Sequence, residues 1–290
     1  MPTLRQLRYL VALADQGHFG RAASACAVSQ PALSQQIADL EARLGIDLVD
    51  RRGRGAALTE TGVLIVARAR AILSSVQDLT RAAVGTDALI GTVSLGVIPT
   101  IAPYLLPTVL PALHAAFPEA RFAIREAVSA TLINELRAGE LDLILLALPI
   151  AGDDLETLPL FEDVFHLATA RADAPDGPMH PAQLNLASLL LLDEGHCLRD
   201  QALSLCGTTD PGLRTQLGAT SLATLVQLVA AGHGQTLIPD MALPALTDPR
   251  IAITPFARPS PSRTVGLAYR TTSSRKGAFA RLGEVLRCRV

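Results

Sequence analysis

The chain has 290 residues, a net charge of −2 and 49% hydrophobic residues. That composition excludes a disordered polymer, and the length suggests two domains, each with a sizeable core. Residues 1–90 hold ten Arg against eight acids and the remainder fifteen basic against nineteen acidic side chains, +2 and −4, an imbalance too small to indicate nucleic acid by itself, so the partner has to be argued from motifs. Four Cys at 26, 197, 206 and 288 form no C-x-x-C pair and no Cys/His cluster of zinc spacing, so no metal is expected. The N-terminus lacks the basic segment, apolar run and cleavage site of a secretory signal, which places the chain in the cytoplasm, where disulfides are transient or regulatory.

From Leu4 to Ala14, apolar residues at Leu7, Leu10, Val11 and Ala14 predict an amphipathic helix, with Phe19 as an anchor after it. A second short helix runs from about Arg21 to Cys26. Ser29 is then a good N-cap, Pro31 is tolerated in the first turn, and Leu33, Ile37, Leu40 and Leu44 line the inner face of a third helix that stops at Gly45. The outward positions Gln30, Pro31, Ser34, Gln35 and Ala38 are short or uncharged groups able to approach base edges, while the Ser29 hydroxyl and the helix N-terminus suit phosphate. A plain solvated face is the simpler alternative. Arg51, Arg52 and Arg54, spaced by Gly53 and Gly55, fit a small wing that reaches phosphate or the minor groove. From Thr59 or Glu60 a long helix carries Ile65, Ala69, Ile72, Val76, Leu79 and Ala83 at heptad-like spacing, a seam on which two chains could pair.

Phe19-x-Arg21-Ala22-Ala23, Val28-Ser29-Gln30-Pro31-Ala32-Leu33-Ser34, Leu40-Glu41, Leu44-Gly45 and Leu58-Thr59-x-x-Gly62 resemble the winged helix-turn-helix of LysR-type transcriptional regulators. The resemblance covers residues 1 to about 65. Val49 departs from it, standing where the family usually has Phe. The resemblance implies a multi-domain α+β chain: a winged helix-turn-helix over 1–58, a linker and dimerisation helix over 59–90, and a regulatory domain over 91–290 like a periplasmic binding protein.

After Gly91 the pattern alternates strands with helices. The strands are expected at 93–97, 121–127, 141–146, 164–168, 189–192, 236–238 and 265–269, which makes this region α/β. Ala88 to Pro118 carries no Asp, Glu, Lys or Arg, but Gly91, Gly96, Pro99, Pro103, Pro107 and Pro111 cut it into a strand, a turn and a short helix start, so it reads as buried interior rather than a membrane span. There is no G-x-G-x-x-G, P-loop or Ser/His/Asp signature, and no cofactor is expected. With crossings near Asp163 and Arg263, the regulatory domain divides into subdomain I (91–163 and 264–290) and subdomain II (164–263), with a C-terminal helix from about Lys276 returning to subdomain I.

Within subdomain II, Leu189–Leu192 reads as a buried strand, Gly195 breaks the chain, and Leu198, Ala202 and Leu205 mark one face of a short helix. Cys197 falls at its first turn, where free N–H groups and the dipole favour a thiolate, and His196 and Arg199 add possible positive charge. Nine helical residues separate Cys197 from Cys206 by roughly 13 Å, against the 4.4 to 6.8 Å of a disulfide, so joining them requires the helix to melt. The bland alternative is that both are small buried hydrophobes. Cys26 and Cys288 read as packing or exposed residues.

Gly195-His196-Cys197-Leu198-Arg199-Asp200-Gln201, with a second Cys nine residues after the first, is similar to the redox loop of the peroxide-sensing branch of LysR-type regulators. That resemblance implies a sensing Cys197, a resolving Cys206 and a support set of Thr100, Ser129, His196, Asp200 and Arg270, with Thr100 and Arg270 the main donors to the leaving oxygen. Ser129 stands where the branch usually has Thr. The implied protein is not an enzyme. It is a DNA-binding regulator of antioxidant genes that reads hydrogen peroxide, forms a dimer through the linker helix and then a tetramer, engages RNA polymerase and does not enter membranes. Two other readings stay open: a co-inducer bound in the regulatory cleft with structural cysteines, and a thiol peroxidase with an incidental N-terminal domain.

Overall fold

The computed structural model describes residues 1–50, 56–83, 89–205 and 218–288. Arg51, Arg52, Arg54 and Cys206 lie outside the described residues. The chain divides into two compact units, one made of Met1–Thr86 with Glu135–Glu140 and Thr272–Ser274, the other of the remainder.

In the first unit, α1 (Leu4–Gln16) begins with a capping box between Thr3 and Gln6, and α2 (Phe19–Ala25) is capped by His18, whose Nδ1 accepts from the Gly20 N–H at 3.0 Å. The cap of α3 (Gln30–Leu44) is Ser29, and the helix ends at Gly45 with φ +71°. Leu10, Leu13, Leu33, Ile37, Leu40 and Leu48 are fully buried and hold the three helices together. Strands β1 (Val49–Asp50) and β2 (Ala57–Leu58) pair antiparallel. Their position is fixed from α3, because the buried Glu41 carboxylate accepts from the N–H groups of Leu48 at 2.9 Å and Val49 at 3.1 Å. Val49 is buried, so the smaller residue still fills the wing base.

Helix α4 (Glu60–Ala83) divides the heptad-like seam. Ile65 and Ala69 turn inward, while Ile72 is 46% and Leu79 71% exposed, together with Val63 and Leu64 near the start of the helix. Part of the expected pairing surface is therefore used within the chain.

Apart from the end of α6, which falls in the first unit, the second unit runs β3 (Gly91–Val97), α5 (Ala102–Ala116), β4 (Ala120–Glu126), α6 (Ser129–Ala138), β5 (Leu143–Leu148), β6 (Leu155–Ala170), β7 (Leu191–Leu192), α7 (Cys197–Leu205), β8 (Gly218–Ala219), α8 (Leu222–Ala230), β9 (Thr236–Pro239), β10 (Ile251–Pro255), β11 (Ser262–Arg270) and α9 (Lys276–Arg287). The order in the main sheet is β10-β6-β11-β5-β3-β4, with β9 also on β6. Strand β3 is parallel to β4 and β5, whereas β11 is antiparallel to β5. Strand β6 pairs with β11 up to Val164 and beyond that with β9 and β10, so it passes from one half of the unit into the other. Arg263 faces Asp163 across the strands at that passage. The second half packs around Phe165, Leu167, Leu191, Leu225, Val229 and Ile238.

Two expectations need correction. The charge-free run gives more than a helix start: α5 extends over fifteen residues through Pro107 and Pro111. Pro103, Pro107 and Pro111 all lie on its exposed face, four residues apart, so the carbonyls that lose an N–H partner there can be hydrated. Strand β6 also begins at Leu155, nine residues before the expected start, and β10 was not expected. No helix among the described residues is long and apolar enough to cross a membrane.

A Cβ on Gly62 would lie 2.1 Å from the Leu48 carbonyl oxygen, which explains glycine in the Leu58-Thr59-x-x-Gly62 motif. Gly62→Ala should push α4 from the base of β1 and cost about 1–3 kcal/mol of stability. The melting temperature of the full chain should fall, and an unchanged melting curve would contradict the packing argument.

Candidate functional site

Because β3 and β4 run parallel with Val97 beside Glu126, the segments that follow them leave the sheet at one edge. These segments carry Thr100 and Ser129. The loop after β7 reaches the same edge: Gly195 has φ +92°, a conformation that favours glycine, and a Cβ there would meet Val128 at 3.7 Å. Two residues on, Cys197 opens α7, half-buried and carrying a free thiol. Leu198, Ala202 and Leu203 are buried beneath it. The topology thus brings Cys197, Thr100 and Ser129 to one side of the unit.

The support set is only partly as expected. Thr100 is 2% exposed and its hydroxyl accepts from Arg263 Nη1 at 2.9 Å, leaving its own proton for another acceptor. Ser129 Oγ is buried and makes no hydrogen bond among the described residues. Burial lowers the pKa of His196 below its ordinary 6.5, against a weaker opposing pull from Asp193, so burial works against the possible positive charge there. Arg199 is buried and donates from Nη1 to the Leu192 carbonyl at 3.2 Å, tying α7 to the end of β7. Asp200 is exposed and makes no side-chain hydrogen bond among the described residues, so it does not hold Arg199 or a hydroxyl.

Arg270 is misplaced in the sequence reading. Strand β11 runs opposite to β5, with Thr264 beside Leu148 and Tyr269 beside Leu143, so Arg270 ends at the far edge of the sheet. Its Nη1 donates to the Leu141 carbonyl at 2.7 Å. At about 3.4 Å per residue it stands roughly 20 Å or more along the strand from Arg263.

The guanidinium at the site belongs to Arg263, which is 3% exposed. Its Nε donates to Asp163 Oδ2 at 2.9 Å, Nη1 to Thr100 Oγ1, and Nη2 to the Thr100 carbonyl at 3.1 Å. Nη2 also reaches Met241 Sδ at 3.8 Å, and the Met241 N–H donates to Asp163 Oδ1 at 3.1 Å. The guanidinium lies 5.9 Å from the Phe165 ring centre. Burial pushes the Asp163 carboxyl up, opposed by Arg263 and the Met241 amide. An arginine entering an apolar strand after Pro261-Ser262 was a signal that sequence reasoning could have used.

In the first unit Ser29, Gln30, Pro31 and Gln35 are exposed and Ser34 half-buried. The Ser29 hydroxyl is engaged by the Ala32 N–H, and Gln35 Nε2 donates to Asp39 Oδ1 at 2.8 Å.

The model of the bacterial regulatory helix-turn-helix protein, lysR family, matches residues 4–63, and that of the LysR substrate binding domain matches residues 86–290. The chain belongs to the LysR family. Within it, the chain is 40% identical to the DNA-binding transcriptional dual regulator OxyR of Escherichia coli K12, over 99% of this chain and 95% of that protein. It is 39% identical to the hydrogen peroxide-inducible genes activator of Dickeya chrysanthemi, over 98% and 94%. Among solved structures, a full-length OxyR variant from Pseudomonas aeruginosa superposes with TM-score 0.85 at 38% identity, covering 100% of this chain and 99% of that one. A hydrogen-peroxide-bound OxyR variant from Corynebacterium glutamicum gives 0.64 at 36%, covering 99% and 94%. These matches put this LysR-family chain in the OxyR branch.

Asp163→Asn would leave the Arg263 charge buried and unpaired, and should cost about 3–5 kcal/mol in denaturant unfolding; a loss under 1 kcal/mol, as for an exposed pair, would contradict the geometry. For His196 the folded pKa lies below the unfolded 6.5, so its stabilising contribution is present above 6.5 and lost as pH falls through the lower folded value. Hydrogen exchange in the 193–200 segment should quicken from pH 7.5 to pH 5.5 after correction for intrinsic rates. The quickening should shrink in His196→Asn.

Proposed function

We propose that this LysR-family chain is a peroxide-switched transcriptional regulator, with a winged helix-turn-helix over 1–58, a linker helix over 59–90 and a regulatory domain over 91–290. The observation that carries the reading is the position of Cys197 at the N-terminus of α7, its loop resting on Val128 at the sheet edge that also bears Thr100 and Ser129. A Cys197 thiolate attacks one oxygen of hydrogen peroxide, the O–O bond breaks, and the other oxygen leaves as water after taking a proton. Hydroxyl donors lower the cost of charge developing on the leaving oxygen. The sulfenic acid then condenses with the Cys206 thiol, releasing a second water, and cellular thiols reduce the disulfide.

The start of α3, with Ser29, Gln30, Pro31, Ser34 and Gln35, enters the major groove, and Arg51 and Arg54 take phosphate or the minor groove. Val63, Leu64, Ile72 and Leu79 are the exposed apolar residues on α4 through which two chains pair, and two dimers give a tetramer. The protein works in the cytoplasm, engages RNA polymerase at promoters of antioxidant genes, and consumes peroxide once per activation rather than catalytically.

Peptide mapping before and after a stoichiometric dose of peroxide should show a Cys197–Cys206 bond in the wild type. Cys197→Ser should be unresponsive, and Cys206→Ser should stop at the sulfenic acid. A Cys206→Ser protein that still reached the wild-type DNA-bound state would sink the switch. Unchanged thiol counts, with a metabolite that raises the melting temperature, would point instead to a co-inducer in the cleft.

A further inference from the structure

We propose that Met241 is a second peroxide-oxidised site in this chain, its thioether becoming a sulfoxide that the Arg263 guanidinium then holds. Met241 is bound to the buried ion pair at two places: its N–H donates to Asp163 Oδ1 at 3.1 Å and its sulfur lies 3.8 Å from Arg263 Nη2. Nη2 also serves the Thr100 carbonyl at 3.1 Å and lies 2.9 Å from Asp163 Oδ2. The residue is half-buried rather than sealed in the core, and hydrogen peroxide is small.

A thioether sulfur is a weak hydrogen-bond acceptor, and a sulfoxide oxygen is a polar one. In the reaction a sulfur lone pair forms a bond to one peroxide oxygen and the O–O bond breaks. The departing oxygen gains the proton of the transferred one and leaves as water; sulfur is oxidised by two electrons and peroxide is reduced. A guanidinium N–H beside the sulfur stabilises oxygen that carries charge during this step. Met has three rotatable side-chain bonds, so the new oxygen can turn to Nη2 and compete there with Thr100 and Asp163. In high peroxide the sulfoxide would draw Arg263 away from Thr100 and slow the reaction at Cys197, a consequence that rests on the function proposed above. Sulfoxide reductases can reverse the change.

The chain supplies its own controls, because it has three methionines and Met179 is half-buried like Met241, packed instead on the apolar core of the second half. The full-length protein would be treated with graded hydrogen peroxide and its sulfoxides quantified by peptide mass. Met241 should be oxidised about tenfold faster than Met179, equivalent to one charge-assisted hydrogen bond in the transition state. Equal rates would overturn the proposal. Met241→Gln, which presents a fixed amide oxygen to Arg263, should slow Cys197 oxidation severalfold more than Met241→Leu does. If both variants react alike, the link to Arg263 is wrong. Cys197 is read in the same digest, so an inert Cys197 beside an oxidised Met241 would refute the switch and leave this proposal standing.

Discussion

The buried guanidinium of Arg263 is the constraint on which the regulatory unit is built. A charge that is 3% exposed cannot be left without partners, and this one is met by Asp163, by both oxygens of Thr100 and by the sulfur of Met241. Those partners come from different places: Asp163 and Arg263 from the two strands at the passage between halves, Thr100 from the end of β3, Met241 from the segment after β9. Satisfying one cation therefore fixes four segments at once. Such a pair adds little net stability over an apolar replacement, because desolvation takes back most of the attraction. What it supplies is a single register at the passage, and with it a fixed position for the Thr100 hydroxyl.

The electrostatics around Cys197 follow from that arrangement more than from charged neighbours. His196 is pushed toward the neutral form by burial, Arg199 is turned to the Leu192 carbonyl, and Asp200 is exposed. In the reaction proposed above, the groups left to meet charge on the departing oxygen are the N-terminus of α7 and hydroxyl dipoles. Dipoles fixed by packing are already oriented before the reaction, so they need no reorganisation when charge moves from sulfur to oxygen. The Ser129 hydroxyl, buried and without a hydrogen bond among the described residues, fits that role in the proposed reaction, since an orphan polar atom costs stability wherever it has no use.

Local chemistry was the most legible part of this sequence. Ser29, Gly45 and the apolar spacing of α1 and α3 located those elements to within about two residues, because caps and 3.6-residue periodicity act over one or two turns. The loop at Cys197 was equally plain, since Gly195 and the start of α7 are set by neighbours in sequence. What escaped depends on strand order. Arg263 and Arg270 lie on the same strand, and only the antiparallel pairing of β11 with β5 decides which faces Thr100. Helix α5 escaped for a related reason: proline is judged by its cost inside a helix, but Pro103 sits in the first turn, where no bond is lost, and Pro107 and Pro111 on one solvated face sacrifice bonds that water can replace. The long β6 was obscured because its first half alternates as a sheet boundary strand and its second as an interior one.

The size of α7 determines what kind of switch it can be. A nine-residue helix is too short to persist alone and is held by its buried face, chiefly Leu198 and Leu203, with Arg199 bonded to Leu192. Releasing two buried leucines costs about 3–6 kcal/mol. If joining Cys197 to Cys206 requires that release, the disulfide becomes more oxidising by about 60–130 mV than an unstrained bond between the same sulfurs. Thiol reductants can therefore reverse it readily, while peroxide, a far stronger oxidant, can still form it. A longer or better-anchored helix would resist oxidation, and a looser one would let the bond form without a change of shape. The helix has to be stable enough to register its own loss and weak enough to lose.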